Sequence, residues 1–386
     1  MSISISRPVV IRRKDRGLWI GLFGMHEFLV WLPLLFPYKY APLSYLRNTT
    51  AYYRQAHGLF QWDSLWYINI GKYGYAHLPK VSGDPHLAAT AFFPFVPVLI
   101  HLFSPWGALV ATQGAFAASL FFFERIIKRF DPSPAVVFGG LTLLAFNPAA
   151  IYYATLYAEP WTLFFTLASV ELAHRGRYGV ASILGGLAAT TQATGILVGI
   201  FPLIACVMAL LNGDRKGFLR NLAWGVGAAL GLVSYGSFLG VRFHDPLLFV
   251  TMQGIAIWKG TWTVPGVQWI DGLPFSFHHG IVPLRLALWL CTTAFILGTV
   301  GVVKLRVATV EQLAFKVYGV IGILVSLSFM YAGWPLHSTV RIASVYFPMY
   351  LGLTQWSPWI MRLTILGFAV TAFYGGVLFT HHWWFQ

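Results

Sequence analysis

The chain has little charge: charged residues make up 10% of its 386 residues, whereas hydrophobic residues make up 57%. In a typical soluble domain about a quarter of the residues are charged, so this shortage excludes a water-soluble enzyme. Apolar runs of roughly 15 to 22 residues recur along the chain, long enough for helices in lipid, where every backbone polar group must be satisfied internally. The sequence therefore predicts an all-α polytopic membrane protein.

Cysteine is also scarce. The only two cysteines, Cys206 and Cys291, both lie in apolar runs, which excludes a disulfide framework and a thiolate metal site. His278 and His279 are adjacent in sequence, but no ligand spacing of the kind that zinc sites use surrounds them. We therefore predict no metal site and no cofactor.

Acidic residues are outnumbered: 26 basic and 12 acidic side chains give a formal charge of +14. In a soluble protein such an excess would favour a nucleic-acid partner, but here many basic residues flank apolar runs. Basic residues at such places set membrane topology, so we predict no nucleic-acid partner. Arg12, Arg13, Lys14 and Arg16 precede the first run and predict an inner N-terminus.

When the basic residues are placed on the inner side and successive apolar runs cross in opposite directions, the sequence predicts one integral domain, residues 1–386, with about eleven spans. A stretch with two prolines, 89–103, is taken not to span. Two long outer loops, 37–88 and 241–283, are predicted to cap the bundle. The predicted spans are 17–36, 106–123, 134–153, 161–173, 178–191, 195–211, 222–240, 284–303, 315–331, 340–354 and a last one that ends outside at residue 386.

Carboxylates on the predicted outer side are the first candidates for chemistry, because charge is so scarce. Asp63 lies in Phe60-Gln61-Trp62-Asp63-Ser64-Leu65-Trp66-Tyr67, whose apolar spacing predicts an interfacial helix in the first outer loop. It is either a cap or a general base. Glu159 precedes Pro160 at the start of a span, and is either a cap or part of a cavity. Arg341 either snorkels to the interface or binds a lipid phosphate.

Five pieces of sequence together resemble the PIG-V-like mannosyltransferases, the family of the enzyme that adds the second mannose of GPI anchors. The likeness runs from about residue 60 to 355, and the compact length is more like the prokaryotic members. The pieces are 62–75 with 91–97, Asn147-Pro148-Ala149 with Tyr157-Ala158-Glu159, 187–195, Asp245-Pro246-Leu247-Leu248-Phe249 with Gln253 and Trp258, and Ser338-Thr339-Val340-Arg341 with Pro348 and Leu351.

The resemblance implies a C-type glycosyltransferase bundle that works at the outer or lumenal face of a cell or ER membrane. It implies a hexose, with mannose favoured, passing from a polyprenyl- or dolichyl-phosphate to an acceptor hydroxyl with inversion. The acceptor would be a glycolipid or another lumenal or extracellular molecule. Asp63 falls at the position of the general base. Arg341, Lys72, His77 and Glu159 are the candidates for the donor phosphate or the cavity.

Aromatic side chains in the two outer loops are the candidates for contact with a sugar or a prenyl chain: Trp62, Trp66, Trp258 and Trp262. One departure bears on activity, because Gln192 stands where the family usually has arginine. If that arginine binds the donor phosphate in the family, this protein uses another residue, prefers another donor or has lost activity.

Two alternatives follow. One is a non-catalytic lipid-binding subunit on the transferase scaffold, which Gln192 favours. The other is a secondary transporter, which would show inverted repeats and broken helices in corresponding halves.

Overall fold

The computed structural model describes residues 17–35, 59–76, 85–254, 260–278, 282–331, 336 and 338–380. These residues are almost entirely helical, which confirms the predicted all-α membrane fold. The helices are α1 (Leu18–Trp31), α2 (Asp63–Tyr73), α3 (Pro85–Ala88), α4 (Phe95–Phe130), α5 (Pro134–Ala145), α6 (Ala150–Ala154), α7 (Glu159–His174), α8 (Tyr178–Thr191), α9 (Ile200–Leu211), α10 (Arg215–Phe243), α11 (Leu248–Thr251), α12 (Val267–His278), α13 (Val282–Lys304), α14 (Val310–Leu327), α15 (Thr339–Ala343), α16 (Pro348–Leu353) and α17 (Pro358–Thr380). Short 3-10 segments lie at Leu32–Leu35, Ala89–Ala91, Ala193–Gly199 and Met252–Gly254.

The predicted number of eleven spans is not confirmed. Within the described ranges, seven helical segments are long and apolar enough to cross a membrane. They are Leu18–Leu35, Phe95–Phe130, Ala193–Leu211, Arg215–Phe243, Val282–Lys304, Val310–Leu327 and Pro358–Thr380. Two shorter apolar helices, α5 and α8, occupy predicted spans without reaching that length.

Two of the predicted spans, 134–153 and 340–354, are each broken into two shorter helices. Residues 134–153 form α5 and α6, separated at Asn147 and Pro148. The Asn147 side chain donates to the Leu144 carbonyl at 2.8 Å and accepts from the Ala149 amide at 2.8 Å, replacing helix bonds at the break. Residues 340–354 form α15 and α16, and Pro348, which has no N–H to donate, begins α16.

The stretch 89–103, taken not to span, is partly the beginning of α4. This helix continues from Phe95 to Phe130 through a kink at Ser104, where φ is +64°. Pro105 follows, and a residue before proline avoids the helical region, so the chain bends there. The described structure thus has one 36-residue kinked helix where a separate non-spanning stretch and a shorter span were predicted.

Helix α7 lies in the centre of the bundle, with Glu159 at its first turn and Glu171 near its last, both almost fully buried. It packs against α4 on one side and α8 on another. Helix α8 in turn approaches α10 closely at Gly186 and Gly227, where a Cβ on Gly227 would collide with the Ser182 backbone oxygen. Small residues at such crossings let membrane helices meet backbone to backbone.

A cluster of charged side chains surrounds Glu171 at the last turn of α7. Glu171 accepts hydrogen bonds from Arg129 and, at 2.8 Å, from Arg175 Nε, and Arg125 lies 3.8 Å away. Arg129 also donates to Glu311 on α14 at 2.7 Å. We call these five residues the Glu171 cluster. It ties the ends of α4, α7 and α14 together.

A small sheet links the segment before α12 to the segment after α14. Strand β1 (Gly260–Trp262) pairs antiparallel with β2 (Phe329–Tyr331), and Trp262 is opposite Phe329. Gln268 on α12 is fully buried and bonds to this same segment. Residues 260–268 are therefore fixed to the chain that leads to Arg341.

Candidate active site

Three charged side chains from distant parts of the sequence meet at the first turn of α7. Arg341 Nη1 donates to Asp63 Oδ2 at 2.6 Å, and Arg341 Nε lies 3.2 Å from Glu159 Oε1. Asp63 begins α2, Glu159 begins α7 and Arg341 lies in the short helix α15. We call these residues the Asp63 site.

The Asp63 site holds two carboxylates for one guanidinium, so its formal charge is −1. Asp63 is the more accessible acid, with 19% of its side chain exposed against 4% for Glu159. Arg341 is 11% exposed. Because buried carboxylates need a partner, Arg341 stabilises both ions. Of the two acids, Asp63 therefore presents more surface for contact with another molecule.

Two tyrosine rings also lie against the Asp63 site. The Arg341 guanidinium lies 5.4 Å from the Tyr152 ring centre and 5.5 Å from that of Tyr157, within the range of cation–π attraction. Burial raises the pKa of the Tyr157 hydroxyl well above its usual range, and the nearby Asp63 charge acts in the same direction. Tyr157 therefore stays neutral and keeps its proton for hydrogen bonding.

The start of α2 is fastened to the loop before α7. The Tyr157 hydroxyl donates to the Gln61 carbonyl at 3.2 Å and accepts from the Asp63 amide at 3.3 Å. Ser64 Oγ donates to the Leu156 carbonyl at 3.1 Å. These bonds join the two sequence motifs, and each motif supplies partners that hold the other in place.

Backbone strain lies on both sides of the Asp63–Arg341 contact. Trp62, directly before Asp63, has φ +54° and ψ −116°, a region that side chains other than glycine rarely adopt. Leu336 and Ser338, shortly before Arg341, have φ +62° and +60°. Such conformations cost about 1–3 kcal/mol each and persist only where the surroundings enforce them, often at functional sites.

Gln192 follows α8 and lies near the beginning of α7. Thr191, its neighbour, shares a 2.6 Å hydrogen bond with Thr162, which is one helical turn after Glu159. The Gln192 amide nitrogen is buried and has no hydrogen-bond partner within the described structure. Gln192 thus offers a buried neutral donor beside the first turns of α7.

The remaining predicted residues lie elsewhere or outside the described structure. Lys72 is exposed near the end of α2, over the Tyr73 ring at 4.9 Å, and its Cα is about 14 Å along the helix from that of Asp63. Trp66 is buried and stacks on Phe92 at 5.4 Å. His77 and Trp258 are outside the described residues.

The other two aromatic candidates differ in exposure. Trp62 is partly buried beside Asp63. Trp262 is 63% exposed and contacts the Phe329 ring, 5.3 Å away, on the small sheet. Of the predicted aromatics, Trp62 therefore adjoins the Asp63 site directly in the sequence, and Trp262 presents its ring at the surface.

Sequence reasoning missed the role of Tyr152 and, in part, that of Tyr157. Tyr157 was noted only as part of a motif with Glu159, and Tyr152 lies in what was predicted to be an uninterrupted span. A break at Pro148 was the available signal, because it turns the short helix α6 toward the site.

No family model and no curated protein matches the chain. Solved structures do resemble it. The crystal structure of the Archaeoglobus fulgidus oligosaccharyltransferase tethered with an acceptor peptide is 10% identical, with a TM-score of 0.43, and the match covers 95% of this chain and 55% of that one. The crystal structure of its apo form is 11% identical, with a TM-score of 0.43, and the match covers 96% of this chain and 56% of that one.

A third structure is archaeal oligosaccharyltransferase AglB from Archaeoglobus fulgidus in complex with an inhibitory peptide and a dolichol-phosphate. It is 13% identical with a TM-score of 0.33, and the match covers 95% of this chain and 50% of that one. The chain thus spans about half the length of the structures it matches. A likeness at this level does not establish a shared family or activity.

Proposed function

We propose that the protein is a membrane glycosyltransferase that moves a hexose from a polyprenyl- or dolichyl-phosphate to an acceptor hydroxyl. The observation that carries this proposal is the Asp63 site. Three of the five motifs that resemble the PIG-V-like family supply its three charges, although Asp63 and Arg341 are 278 residues apart in sequence. This convergence of three motifs on one buried and charged site supports the proposal.

In this proposal Asp63 is the general base. Its carboxylate takes the proton of the acceptor hydroxyl as the oxygen attacks the anomeric carbon, and the sugar–phosphate bond breaks on the opposite face, with inversion. Asp63 suits this role because it is the more exposed carboxylate of the site. Once Asp63 has taken up the proton, Glu159 remains as the counter-charge of Arg341.

Arg341 is the proposed contact of the donor phosphate. A guanidinium presents several N–H groups in a fixed plane, which matches phosphate oxygens as well as carboxylates. Phosphate binding would draw Arg341 from Asp63 and leave that carboxylate to meet the acceptor. Gln192, with its buried amide donor, is the proposed second contact, and Glu159 holds the guanidinium in place.

The substrate and location follow from the resemblance. Mannose is the favoured hexose, the acceptor is a glycolipid or another molecule outside the cell or in the lumen, and the reaction takes place at the outer face of the membrane. Trp262 and Trp258 in the second outer loop, together with Trp62, are the proposed aromatic contacts of the sugar or the lipid chain. Membrane lipids surround the exposed apolar helices.

The test is sugar transfer by the purified protein in nanodiscs, with polyprenyl-phosphate-mannose and polyprenyl-phosphate-glucose as donors and a mixed lipid and peptide acceptor pool. Wild type is compared with Asp63→Asn and with Asp271→Asn, an exposed carboxylate on α12. Transfer that is lost only in Asp63→Asn supports the proposal. Equal transfer by Asp63→Asn and wild type would exclude Asp63 as the base.

A second candidate, a non-catalytic lipid-binding subunit, is favoured by one observation: Gln192 is neutral where the resembling family has arginine. Such a subunit would bind polyprenyl-phosphate sugar through Arg341 without turnover. Donor binding to wild type that is weakened in Arg341→Met, with no transfer from either donor to any acceptor, would select this reading.

A further inference from the structure

One buried side chain joins both ends of the segment that leads to Arg341. Gln268 on α12 has no exposed surface. Its Nε2 donates to the Phe329 carbonyl at 2.6 Å, and its Oε1 accepts from the Leu336 amide at 3.0 Å. A carboxamide carries a donor and an acceptor in a fixed arrangement. Gln268 therefore acts as a clamp between two backbone positions seven residues apart.

The Leu336 end of this clamp begins the turn that carries Arg341. The Leu336 carbonyl accepts from the Thr339 amide at 3.2 Å, and the Ser338 carbonyl accepts from the Ile342 amide at 2.9 Å. Leu336 and Ser338 both have left-handed backbone, which residues other than glycine adopt only when their surroundings hold them there. The bond from Gln268 to the Leu336 amide is one of the contacts that hold it.

Helix α15 is only five residues long, so it has little stability of its own. Its position depends on the turn before it and on the packing of Val340 and Ala343, which are both buried. A shift of the Leu336 turn would therefore move the Arg341 guanidinium relative to Asp63 and Glu159. Contacts of 2.6 and 3.2 Å leave little room for such a shift.

We propose that Gln268 is a positioning residue of the Asp63 site, and that through it the second outer loop sets the place of Arg341. The choice of a lipid-linked phosphate as the ligand rests on the proposed function. The positioning of Arg341 by Gln268 rests on the Gln268 contacts alone. A ligand that displaces α12 would, by the same contacts, alter how Arg341 meets a lipid-linked phosphate.

The experiment compares Gln268→Leu with wild type and with Asp271→Asn, which changes an exposed carboxylate to an amide on the same helix. Hydrogen exchange is measured over residues 338–343, and the Kd of polyprenyl phosphate is measured in nanodiscs. Leucine removes both hydrogen bonds of the clamp, so we expect the Kd to rise about tenfold. We also expect faster exchange at 338–343, unchanged exchange around Glu171, and no effect of Asp271→Asn.

A double variant separates positioning from general damage. If Gln268 acts through Arg341, then Gln268→Leu changes the Kd less than about twofold in an Arg341→Lys background. A full tenfold effect in both backgrounds, or unchanged exchange and affinity, would overturn the inference. Where Gln268→Leu fails to fold, Gln268→Glu keeps the shape and the acceptor but loses the bond to Phe329, and the same pattern is expected at smaller size.

The outcome also distinguishes this inference from the proposed function. Should wild type neither bind polyprenyl phosphate nor transfer sugar, the proposed function fails. The exchange measurement still decides the role of Gln268. Faster exchange at 338–343 in Gln268→Leu alone supports the clamp, and equal exchange in all variants contradicts it.

Discussion

The two ends of helix α7 each carry a buried glutamate, yet their surroundings are opposite. Glu159 shares one arginine with a second acid, so the Asp63 site has an excess of negative charge. Glu171 meets three arginines, and the Glu171 cluster has an excess of positive charge. The two glutamates are roughly 18 Å apart along the helix.

Backbone strain separates the two ends as well. Beside the Asp63 site, left-handed backbone falls on Trp62, Leu336 and Ser338. After the Glu171 end of α7 it falls on Gly176, which adopts it without strain. Among the described residues beside these two sites, non-glycine residues with left-handed backbone occur at the Asp63 end only. This difference supports the proposal that the Glu171 cluster fastens helices whereas the Asp63 site is the reactive one.

Asp63→Asn is expected to have the largest effect, and it tests most directly whether the two ends of α7 differ in function. A general base contributes about 10²–10⁴-fold to rate, so we expect transfer to fall by that factor while the fold is kept, since Arg341 still pairs with Glu159. Initial rates of sugar transfer per folded protein measure the loss. A Glu171→Gln variant with an equal loss per folded protein would erase the proposed difference between the ends.

Arg341→Met is expected to have the next largest effect, now on stability. It leaves Glu159, which is 4% exposed, without its cation. Removing one partner of a buried pair destabilises by about 3–5 kcal/mol. Thermal unfolding in detergent measures this, and Arg341→Lys serves as the matched control that keeps the charge. A methionine variant as stable as wild type would mean that Glu159 is not held by Arg341.

Glu171→Gln tests the same difference at the other end of α7. We expect a loss of about 1–3 kcal/mol, smaller than for Arg341 because Arg129 keeps Glu311 and Arg175 is 43% exposed. Transfer per folded molecule is expected to stay at the wild-type level. The measurement is thermal unfolding together with transfer normalised to folded protein.

Ser338→Gly gives the smallest expected effect and has the opposite sign. Glycine accepts φ +60° without a Cβ penalty, and the serine side chain makes no capping bond, so we expect stabilisation by about 1 kcal/mol. Arg341 contacts should be kept. A lower melting temperature would show that the left-handed turn is not strained.

The sequence was sufficient to predict the fold class and to identify the three residues that form the Asp63 site. Scarce charge in an apolar chain predicted a membrane bundle, and the same scarcity made Asp63, Glu159 and Arg341 conspicuous. Their roles as base and phosphate contact remain predictions. The motif order carried more information than any single motif, because none of them indicates by itself which others it contacts.

The contact between Asp63 and Arg341 could not be predicted from the sequence. Arg341 was expected either to snorkel or to bind a lipid phosphate. No periodicity relates residues 278 positions apart. The helix breaks at Asn147 and before Pro348 were missed for a different reason. Apolar composition continues through both breaks, and hydropathy responds to composition and not to the loss of a backbone donor.

The separation of Asp63 and Arg341 in sequence also has a consequence for biosynthesis. At about 5–20 residues per second, a ribosome takes roughly 15 to 55 seconds to extend the chain from one to the other. Glu159 is made about a third of the way through that interval, and from then until residue 341 is added the two acids lack Arg341. The Asp63 site can therefore form only after residue 341 has been made, and a chain released before that point carries both acids without the arginine that joins them.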